Sequence, residues 1–598
     1  MNKSKVIKCV LALLMAMCML LVGCGEGDGK PPVETKPQTS TGIQTDKTTD
    51  TQETDSTREF IKLSKTSNLI MKVSNEYRET VNDFKKSVEM KTGLTLRMTN
   101  SSTVATSFEI IVGKVTGRSE SVAFYDDISY AECAAEIRNG KLVVGTFAES
   151  MLEAALSAVS RAIVKNDGEW GIWSDFSYSE SVVDIQDSIP KFDTKSGTMV
   201  QGVKSNDGFQ IGYTGCTVSE YDAYCKELSD AGYTLHASNN VKQNKYSTYV
   251  TENTMAHLMW QGAISTFRMV VSPKGYIPST EAPTYTKIKD ATVAQLPLVT
   301  DSHGMLYVIQ AEDGSCVVID GGLNRGANKS TLLTYLKTNK PASHDKPHVT
   351  WILTHPHSDH IEMAMSFLES YSKEIHLDMI SFNFPDVDAL TWASDYTTTE
   401  LKNYAKEKTQ ELWELIDNKY KDAEIFIHHT GQKLFIPGAE IEFVFTQEDW
   451  WPNKCQTFND TMSAFKITFK SGKSFFVTGD SDEAQCNLMA KVYGDYLRCD
   501  VFQATHHGQK GGTASLYSLL KPTYVFWANS KKKCTTTQGD IYTATIHHSD
   551  RSSFNPILFN DKNILGHFHG EQLTVINMTT MTATDGKGNT AQSFWPLS

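Results

Sequence analysis

The sequence has no pair of cysteines at CxxC spacing, although it contains 11 cysteines in 598 residues. Such pairs supply the thiolate ligands of many zinc sites and redox motifs, so no cysteine is assigned here to a metal. The eight cysteines that follow Cys24 are scattered along the chain. An exported location would permit a disulfide between two of them, for example Cys216 and Cys225.

An excess of positive charge is also missing. Lysine and arginine number 57 against 70 aspartates and glutamates, which gives a net charge of −13. An acidic surface repels the phosphate backbone, so nucleic acid is not expected as a partner.

The N-terminal apolar run, from Val10 to Val22, is too short for a membrane-spanning helix. It follows three lysines, which is typical of a secretory signal. The segment Leu21-Val22-Gly23-Cys24 resembles a bacterial lipoprotein signal box. That resemblance implies a signal peptide over residues 1–23, cleavage before Cys24, and lipidation of the Cys24 thiol with acyl chains such as palmitate. The expected location is the extracytoplasmic face of the cell membrane, with the lipid as anchor.

Residues 24–57 contain almost nothing apolar and are rich in Thr, Asp, Lys, Pro and Gln. Such a segment cannot bury a core, so we predict a disordered tether. A flexible chain of this length spans on the order of 30 Å. Loss of the signal peptide, with its three lysines, takes the net charge from −13 to about −16.

The remaining length predicts several domains. Residues 58–190 alternate strand and helix patterns and are predicted to be a small α/β accessory domain, either for surface attachment or as a spacer. Residues 195–288 combine one helical pattern with three strand-like runs, which predicts a small α+β module. Neither region carries an acid pair or a metal-ligand cluster that the sequence reveals.

Ligand-type residues are concentrated in the stretch Thr354-His355-Pro356-His357-Ser358-Asp359-His360. It follows an apolar β-branched run, residues 349–353, and precedes a helical pattern over residues 361–368. The chain has only 17 histidines, so four ligand-type residues in six positions indicate a metal site. Neutral imidazole and carboxylate are ligands for zinc and related divalent ions.

The pattern His355-x-His357-x-Asp359-His360 resembles the signature of the metallo-β-lactamase fold superfamily, over residues 291–598. The resemblance implies an α/β fold, a four-layer αββα sandwich, preceded by the two accessory regions. It also implies two divalent metal ions, zinc or alternatively manganese or iron. His355 and His357 would share one ion, while Asp359 and His360 would serve the second.

Further motifs of that superfamily follow in order. Asp320, in Ile-Asp-Gly-Gly, would support the site by hydrogen bonding. Asn459 stands where the superfamily has a histidine, a departure that would weaken the first site and puts the occupancy of both sites in question. Asp480, in Thr-Gly-Asp, would bridge both ions. His506 and His507 would supply a ligand to the second ion, with the other imidazole facing substrate or acting as an acid.

The implied activity is that of a surface-anchored hydrolase that uses a metal-activated water. Asp359 would orient that water or take its proton, and His506 and His507 complete the catalytic set. The Asn459 and His-His-Gly patterns resemble the DNA-uptake channel's C-terminal domain and the phosphocholine esterases, which favours a phosphoester or phosphodiester of the cell envelope. The substrate would be a small molecule or an envelope polymer.

Three alternatives stay open at this point: a β-lactamase-like hydrolase, a nuclease-type hydrolase, and a non-catalytic surface-binding lipoprotein with a degenerate metal site. An amphipathic helix over residues 401–420 and the tryptophans 392, 450 and 451 lie in an insertion where substrate selection could be built. Packing in the core or at the rim is the preferred interpretation of these tryptophans. His567 or His569 is a candidate for the pocket rim.

Overall fold

The structure is a computed structural model. It describes residues 58–73, 77–99, 102–181, 183–205, 208–298, 303–324, 326–388, 392–393, 399–535 and 554–595. The predicted signal peptide, Cys24 and the tether lie outside the described residues. Within these ranges, no helix has both the length and the hydropathy needed to cross a membrane. The eight cysteines after Cys24 are all free thiols, so Cys216 and Cys225 are not joined.

The first part of the chain forms a mixed six-stranded sheet. Its strands Glu109–Val112 and Lys141–Thr146 are buried along their whole length, because helices cover the faces of the parallel part of the sheet. In spatial order the strands are Thr95–Thr99, Thr66–Met71, Glu109–Val112, Lys141–Thr146, Glu132–Arg138 and Ser177–Ser181. The helices are Arg78–Thr92, Ser119–Asp127 and Leu152–Ala162. A separate small sheet joins Phe60–Lys62, Glu169–Trp173 and Val164–Asn166.

A six-stranded antiparallel sheet follows. In spatial order its strands are Thr198–Ser205, Gly208–Thr214, Thr266–Pro273, Thr254–Gln261, Asn244–Val250 and Thr234–Val241. One helix, Val218–Asp230, begins with a capping box in which the side chains of Thr217 and Glu220 bond each other's backbone N–H groups. The sheet also contacts the last part of the chain: His257 Nε2 lies 2.9 Å from the carbonyl oxygen of Thr430.

The last part of the chain contains two sheets that face each other. The first has eight strands, in the order Glu424–Ile427, His376–Phe382, His348–Ile352, Cys316–Asp320, Leu306–Gln310, Thr292–Gln295, Thr574–Asn577 and Ala583–Thr584. The second has seven, in the order Lys433–Ile436, Ala439–Phe445, Ala464–Phe469, Ser474–Val477, Val501–Gln503, Tyr524–Trp527 and Gly566–His569. A single apolar cluster contains side chains of both sheets, including Tyr307 and Phe526, whose rings stack with centroids 5.5 Å apart.

Helices cover the outer face of each sheet. Gly326–Asn339, Ser358–Tyr371 and Thr399–Lys419 pack on the first sheet through a second apolar cluster. Glu483–Tyr493, Ala514–Leu520 and Asn555–Phe559 pack on the second sheet through a third. Two short helices, Gln447–Trp450 and Lys531–Thr535, lie in connections. The order helix, sheet, sheet, helix confirms the αββα sandwich. The division of the chain into the domain boundaries given above stays a prediction.

The observed elements differ from the predicted ones mainly at their ends. The apolar run at 349–353 forms the strand His348–Ile352, and the following helix is Ser358–Tyr371, longer at both ends than predicted. Asp359 and His360 therefore lie in the first turn of this helix. The predicted amphipathic helix is Thr399–Lys419, two residues earlier at its start.

Candidate metal centre

The candidate site lies at the carboxyl ends of neighbouring strands in both sheets. Cys316–Asp320 and His348–Ile352 run parallel in the first sheet, and Ser474–Val477 and Val501–Gln503 run parallel in the second. The loops that leave these ends carry the ligand-type residues. Since parallel strands end at the same edge, residues far apart in sequence, such as Asp359 and His507, lie beside each other.

The Thr354–His360 stretch brings two imidazoles into direct proximity. His355 Nε2 lies 3.0 Å from His357 Nδ1, and His355 is fully buried. Both nitrogens face the same region as the carboxylate of Asp480, and the ligand atoms of the three residues lie within 4.8 Å of one another. These three residues form one group that could hold an ion.

A second group consists of Asp359, His360, Asp480 and His507. His507 Nε2 lies 3.0 Å from Asp359 Oδ2 and 3.3 Å from Asp480 Oδ1. His360 Nε2 lies 3.1 Å from the same Asp480 oxygen. Two imidazoles and two carboxylates form the kind of donor set that zinc, manganese and iron accept.

Asp480 belongs to both groups. Its Oδ1 faces His360 and His507, while its Oδ2 lies 4.0 Å from His355 Nε2 and 3.5 Å from His506 Nε2. Each of the two oxygens of a carboxylate can bind an ion, whereas a side-chain amide has only one such oxygen. The structure therefore places Asp480 between two clusters of imidazoles, in the position expected of a bridging ligand.

The adjacent residues His506 and His507 have different surroundings. His507 is buried in the second group, whereas His506 Nδ1 contacts Asp482 Oδ1 at 3.0 Å and its other nitrogen turns toward Asp480 Oδ2. Both residues have left-handed backbone conformations, with φ of 47° and 57°. Such conformations cost about 1–3 kcal/mol each for non-glycine residues and cluster at functional sites. Here they direct two consecutive imidazoles to opposite sides of Asp480.

Asp320 supports the site by hydrogen bonding. It accepts from the Thr354 backbone N–H at 2.7 Å and from the Thr354 hydroxyl at 2.8 Å, and its Oδ2 lies 2.6 Å from His360 Nδ1. A carboxylate bonded to one ring nitrogen fixes the orientation of the imidazole and leaves Nε2 for an ion. Asp320 itself has a φ of 55°, which turns its side chain back toward the loop.

The pKa values in the site divide its imidazoles into two kinds. Burial, followed by the neighbouring imidazoles, lowers the pKa of His355 well below its ordinary value, and burial also lowers that of His357. Burial opposes protonation of His507 as well, but Asp480 and Asp359 outweigh it and raise its pKa to about 9. In the same way, carboxylates raise the pKa of His360 well above its ordinary value.

Several buried polar atoms of the site lie close to one another but make no hydrogen bond of regular geometry: His360 Nε2, Asp480 Oδ1, and both ring nitrogens of His507. Buried polar groups without partners are rare in folded proteins and require an explanation. These atoms belong to the residues whose donor types suit a divalent ion. The residues present therefore fit a pair of metal ions, one in each group, with Asp480 common to both.

Asn459 lies on the short 3-10 turn Phe458–Thr461 and is nearly buried. Its Oδ1 also has no hydrogen-bond partner, so the amide oxygen is available as a weak ligand or as an acceptor for water. The preceding residue, Phe458, places its ring centroid 6.0 Å from that of His357. A supporting role for Asn459 stays a prediction.

The sequence predicts Asp482 to be a supporting or helix-start carboxylate, but it does not identify His303, which also lies near the site. His303 Nε2 lies 3.4 Å from Asp359 Oδ2, and the His303 side chain is 40% exposed. A backbone bridge to Asn529 holds it there. Asp482 contacts His506, as described above. His303 could have been noticed as a histidine just before the first long strand, but its position beside Asp359 depends on tertiary structure.

Other candidates lie away from the two groups. His567 is buried beside Trp527, whose Nε1 donates to His567 Nδ1 at 3.1 Å, so His567 is a core residue. His569 accepts from the backbone N–H of Glu571 at 3.2 Å. Trp451 packs against Gly212 of the antiparallel sheet. Trp392 packs on Phe458 with ring centroids 5.1 Å apart, at the rim on the His357 side.

No protein-family profile matches the sequence, and no curated protein matches it. Among solved structures, CmlA, a diiron β-hydroxylase from Streptomyces venezuelae, matches with a TM-score of 0.24 and 12% identity, over 54% of this chain and 54% of that chain. The match thus spans about half of the length of CmlA. Human tRNase Z, short form, matches with a TM-score of 0.24 and 14% identity, over 40% and 92% of the two chains. A metallo-β-lactamase from Cronobacter sakazakii matches with a TM-score of 0.20 and 10% identity, over 35% and 78%. Likeness at this level carries no argument about activity, which rests on the residues of this chain.

Proposed function

We propose that the protein is a metal-dependent hydrolase of the metallo-β-lactamase fold superfamily that acts on a phosphoester or phosphodiester of the cell envelope. The observation that carries this proposal is the position of Asp480, with one oxygen toward each of two imidazole groups. A hydrogen-bonded polar loop needs no such arrangement, and it would not leave the buried Oδ1 of Asp480 without a partner.

His355, His357 and Asp480 would hold one ion, with His506 Nε2 turned toward the same Asp480 oxygen, and Asp359, His360, Asp480 and His507 would hold the other. When bound, such ions lower the pKa of water and offset negative charge on substrate oxygens. Zinc suits the imidazole-rich set, while the two carboxylates, Asp359 and Asp480, also suit manganese or iron.

The chain's own residues would then divide the remaining work. Asp320 fixes the ring of His360, and Asp482 fixes the ring of His506, each through a carboxylate–imidazole contact. The Asp359 side chain is 14% exposed, and its Oδ2 lies between His507 and His303. It can therefore orient a water molecule or accept its proton. His303 offers an imidazole at the mouth of the site to hydrogen-bond a substrate oxygen.

Positive charge beside the mouth favours an anionic substrate. The helix Lys531–Thr535 follows a strand end of the second sheet and contains three consecutive lysines. Burial and the neighbouring His507 are the main causes that lower the pKa of His303, and the charge of Lys533 lowers it further. In a protein of net charge −13, such a local cationic segment is consistent with attraction of a phosphate group. Attachment through a lipid at Cys24 would keep the site at the envelope.

The full chain, purified in detergent, tests the proposal when its metal content is measured together with hydrolysis of p-nitrophenyl phosphocholine, ampicillin and single-stranded DNA. We expect close to two ions per chain at this centre and turnover of the phosphodiester, lost on chelation and restored by zinc or manganese. Turnover of ampicillin alone would identify a β-lactamase-like enzyme, and turnover of DNA alone a nuclease. A folded protein with no ion and no turnover would overturn the proposal in favour of a binding protein.

A further inference from the structure

The amino ends of two strands in the first sheet carry a second cluster of ligand-type side chains. His348 begins the strand His348–Ile352, and His376 begins the neighbouring parallel strand His376–Phe382. The two histidines are register partners, so their side chains lie on the same face of the sheet. Thr354 lies six positions after His348, a distance of about 20 Å along an extended chain. This cluster is therefore remote from the metal centre described above.

Asp378 connects the two imidazoles. Its Oδ1 lies 2.8 Å from His348 Nδ1 and 2.9 Å from His376 Nδ1, and the two rings stack with centroids 4.7 Å apart. The pairing register shifts between Val349 and Thr350, which leaves Asp378 as the extra residue of a β-bulge. Bulges turn a side chain away from its regular direction, and here the shift accompanies a carboxylate aimed at two imidazole nitrogens.

A third imidazole lies beside this pair. The ring centroid of His344 is 4.7 Å from that of His348, and His344 Nδ1 is buried without a hydrogen-bond partner. The backbone N–H of His344 donates to the carbonyl oxygen of Pro341 at 3.1 Å, which fixes the turn that carries it. Hydrogen bonding explains the nitrogens that face Asp378, but it does not explain a buried nitrogen of His344 with nothing to bond.

We propose that His348, His376 and Asp378, with His344 as an additional ligand, form a separate site for a divalent transition metal such as Zn²⁺. The ligand atoms of His348, His376 and Asp378 lie within 4.8 Å of one another. Tetrahedral zinc with bonds of about 2.0–2.2 Å separates its ligand atoms by about 3.3–3.6 Å, so the two contacts of Asp378 would lengthen by about 0.5 Å on metal binding. Imidazole and carboxylate also bind Ni²⁺ and Cu²⁺, with Cu²⁺ the tightest in general.

Such an ion would join two adjacent strands and the turn that precedes the first of them. It would not take part in hydrolysis, because it lies at the opposite strand ends. The protein would then bind one more ion than the metal centre accounts for. The proposal stands independently of the proposed activity, since no residue is shared between the two sites.

Copper and zinc binding by the full chain test this site. In calorimetric titration, the double variant His348→Ala and His376→Ala should lose one equivalent of bound Zn²⁺, or bind that equivalent at least tenfold more weakly. Its hydrolytic activity should be unchanged. Asp378→Asn, which preserves size, should weaken the same equivalent without disturbing the fold. His236→Ala is the matched control, because His236 is a partly buried histidine that bonds the Pro278 carbonyl oxygen at 2.9 Å.

Electron paramagnetic resonance of bound Cu²⁺ gives a readout that a structural role alone would not change. The wild-type spectrum should show a set of imidazole nitrogen couplings in addition to those of the metal centre, and this additional set should disappear in the double variant and persist in the His236 control. If the wild type and the double variant, both folded by circular dichroism, bind the same number of ions with equal affinity, the cluster is only a hydrogen-bonded pair and the proposal is wrong. Loss of nitrogen couplings in the control variant would equally refute the assignment.

Discussion

Replacement of Asp480 by asparagine is the most direct test of the metal centre. The side chain is 2% exposed and is the only residue common to both ligand groups found in the described part of the last domain. Asparagine preserves the shape but removes the charge, and its amide nitrogen cannot serve as a ligand. We expect loss of metal from both groups rather than from one.

The magnitude follows from the distances. Oδ1 lies 3.1 Å and 3.3 Å from the nearest imidazole nitrogens, and Oδ2 lies 3.5 Å and 4.0 Å from those of the other group. An ion held by these nitrogens lies within about 4 Å of the carboxylate, where unit charges interact by about 4 kcal/mol at an effective dielectric constant of about 20. That energy corresponds to about a thousandfold in affinity, and a divalent ion makes it a lower bound.

The assay combines metal content by mass spectrometry with phosphodiester turnover at limiting zinc. Asp480→Asn should retain less than one ion per chain at the metal centre after dialysis, apart from any ion at the His348–His376–Asp378 site, and lose turnover by at least about a thousandfold. In the metal-free variant, the pKa of His507 should fall from about 9, because Asp480 is the largest influence that raises it. Nuclear magnetic resonance of the imidazole signals measures this change directly.

Asp500→Asn is the control for Asp480→Asn. Asp500 immediately precedes the strand Val501–Gln503, at the end opposite the site, where it contacts Lys473 Nζ at 3.0 Å and accepts from the Ser474 backbone N–H at 2.9 Å. The same chemical change there should leave metal content and turnover intact. Two tightly held ions and full turnover in Asp480→Asn would refute the bridging role and the reasoning built on it.

Three further predictions use other parts of the site. Asp482→Asn should weaken metal retention about tenfold by releasing the ring of His506, measured by competition with a chromogenic chelator; equal retention would show that this contact does not orient a ligand. Zinc binding near pH 7.5 should release protons, because the raised pKa values of His360 and His507 keep both imidazoles protonated without metal, whereas metal ligands must be neutral. The apparent affinity for zinc should therefore rise with pH until the pH passes about 9. Calorimetry in buffers of different ionisation enthalpy measures the proton release, and zero release contradicts the prediction. Gly321→Ala should lower the free energy of unfolding by about 1–3 kcal/mol, because the added Cβ would lie 2.4 Å from a backbone nitrogen of the helix that carries His360. An unchanged melting temperature would show that this helix can shift without cost.

The sequence by itself determined the elements that surround the site and the residue types within it. The apolar run before the Thr354–His360 stretch predicted a strand with a polar end, and the observed strand His348–Ile352 agrees with it within one residue. The αββα fold was implied by the resemblance of the His355-x-His357-x-Asp359-His360 pattern to a known superfamily, whereas local hydrophobic periodicity predicted only where single strands and helices form. Which residues carry chemistry followed from their donor types and their order along the chain.

Only the tertiary structure decided which of these side chains meet. His506 and His507 are adjacent in sequence but face different oxygens of Asp480. This arrangement depends on two left-handed backbone conformations that no sequence pattern predicted. The contact of His303 with Asp359, and the cluster of His348 with His376, both arise from pairings between segments far apart in the chain. Periodicity encodes the direction of a side chain within its own element, whereas proximity between elements is fixed by sheet register and packing, which the folded chain alone establishes.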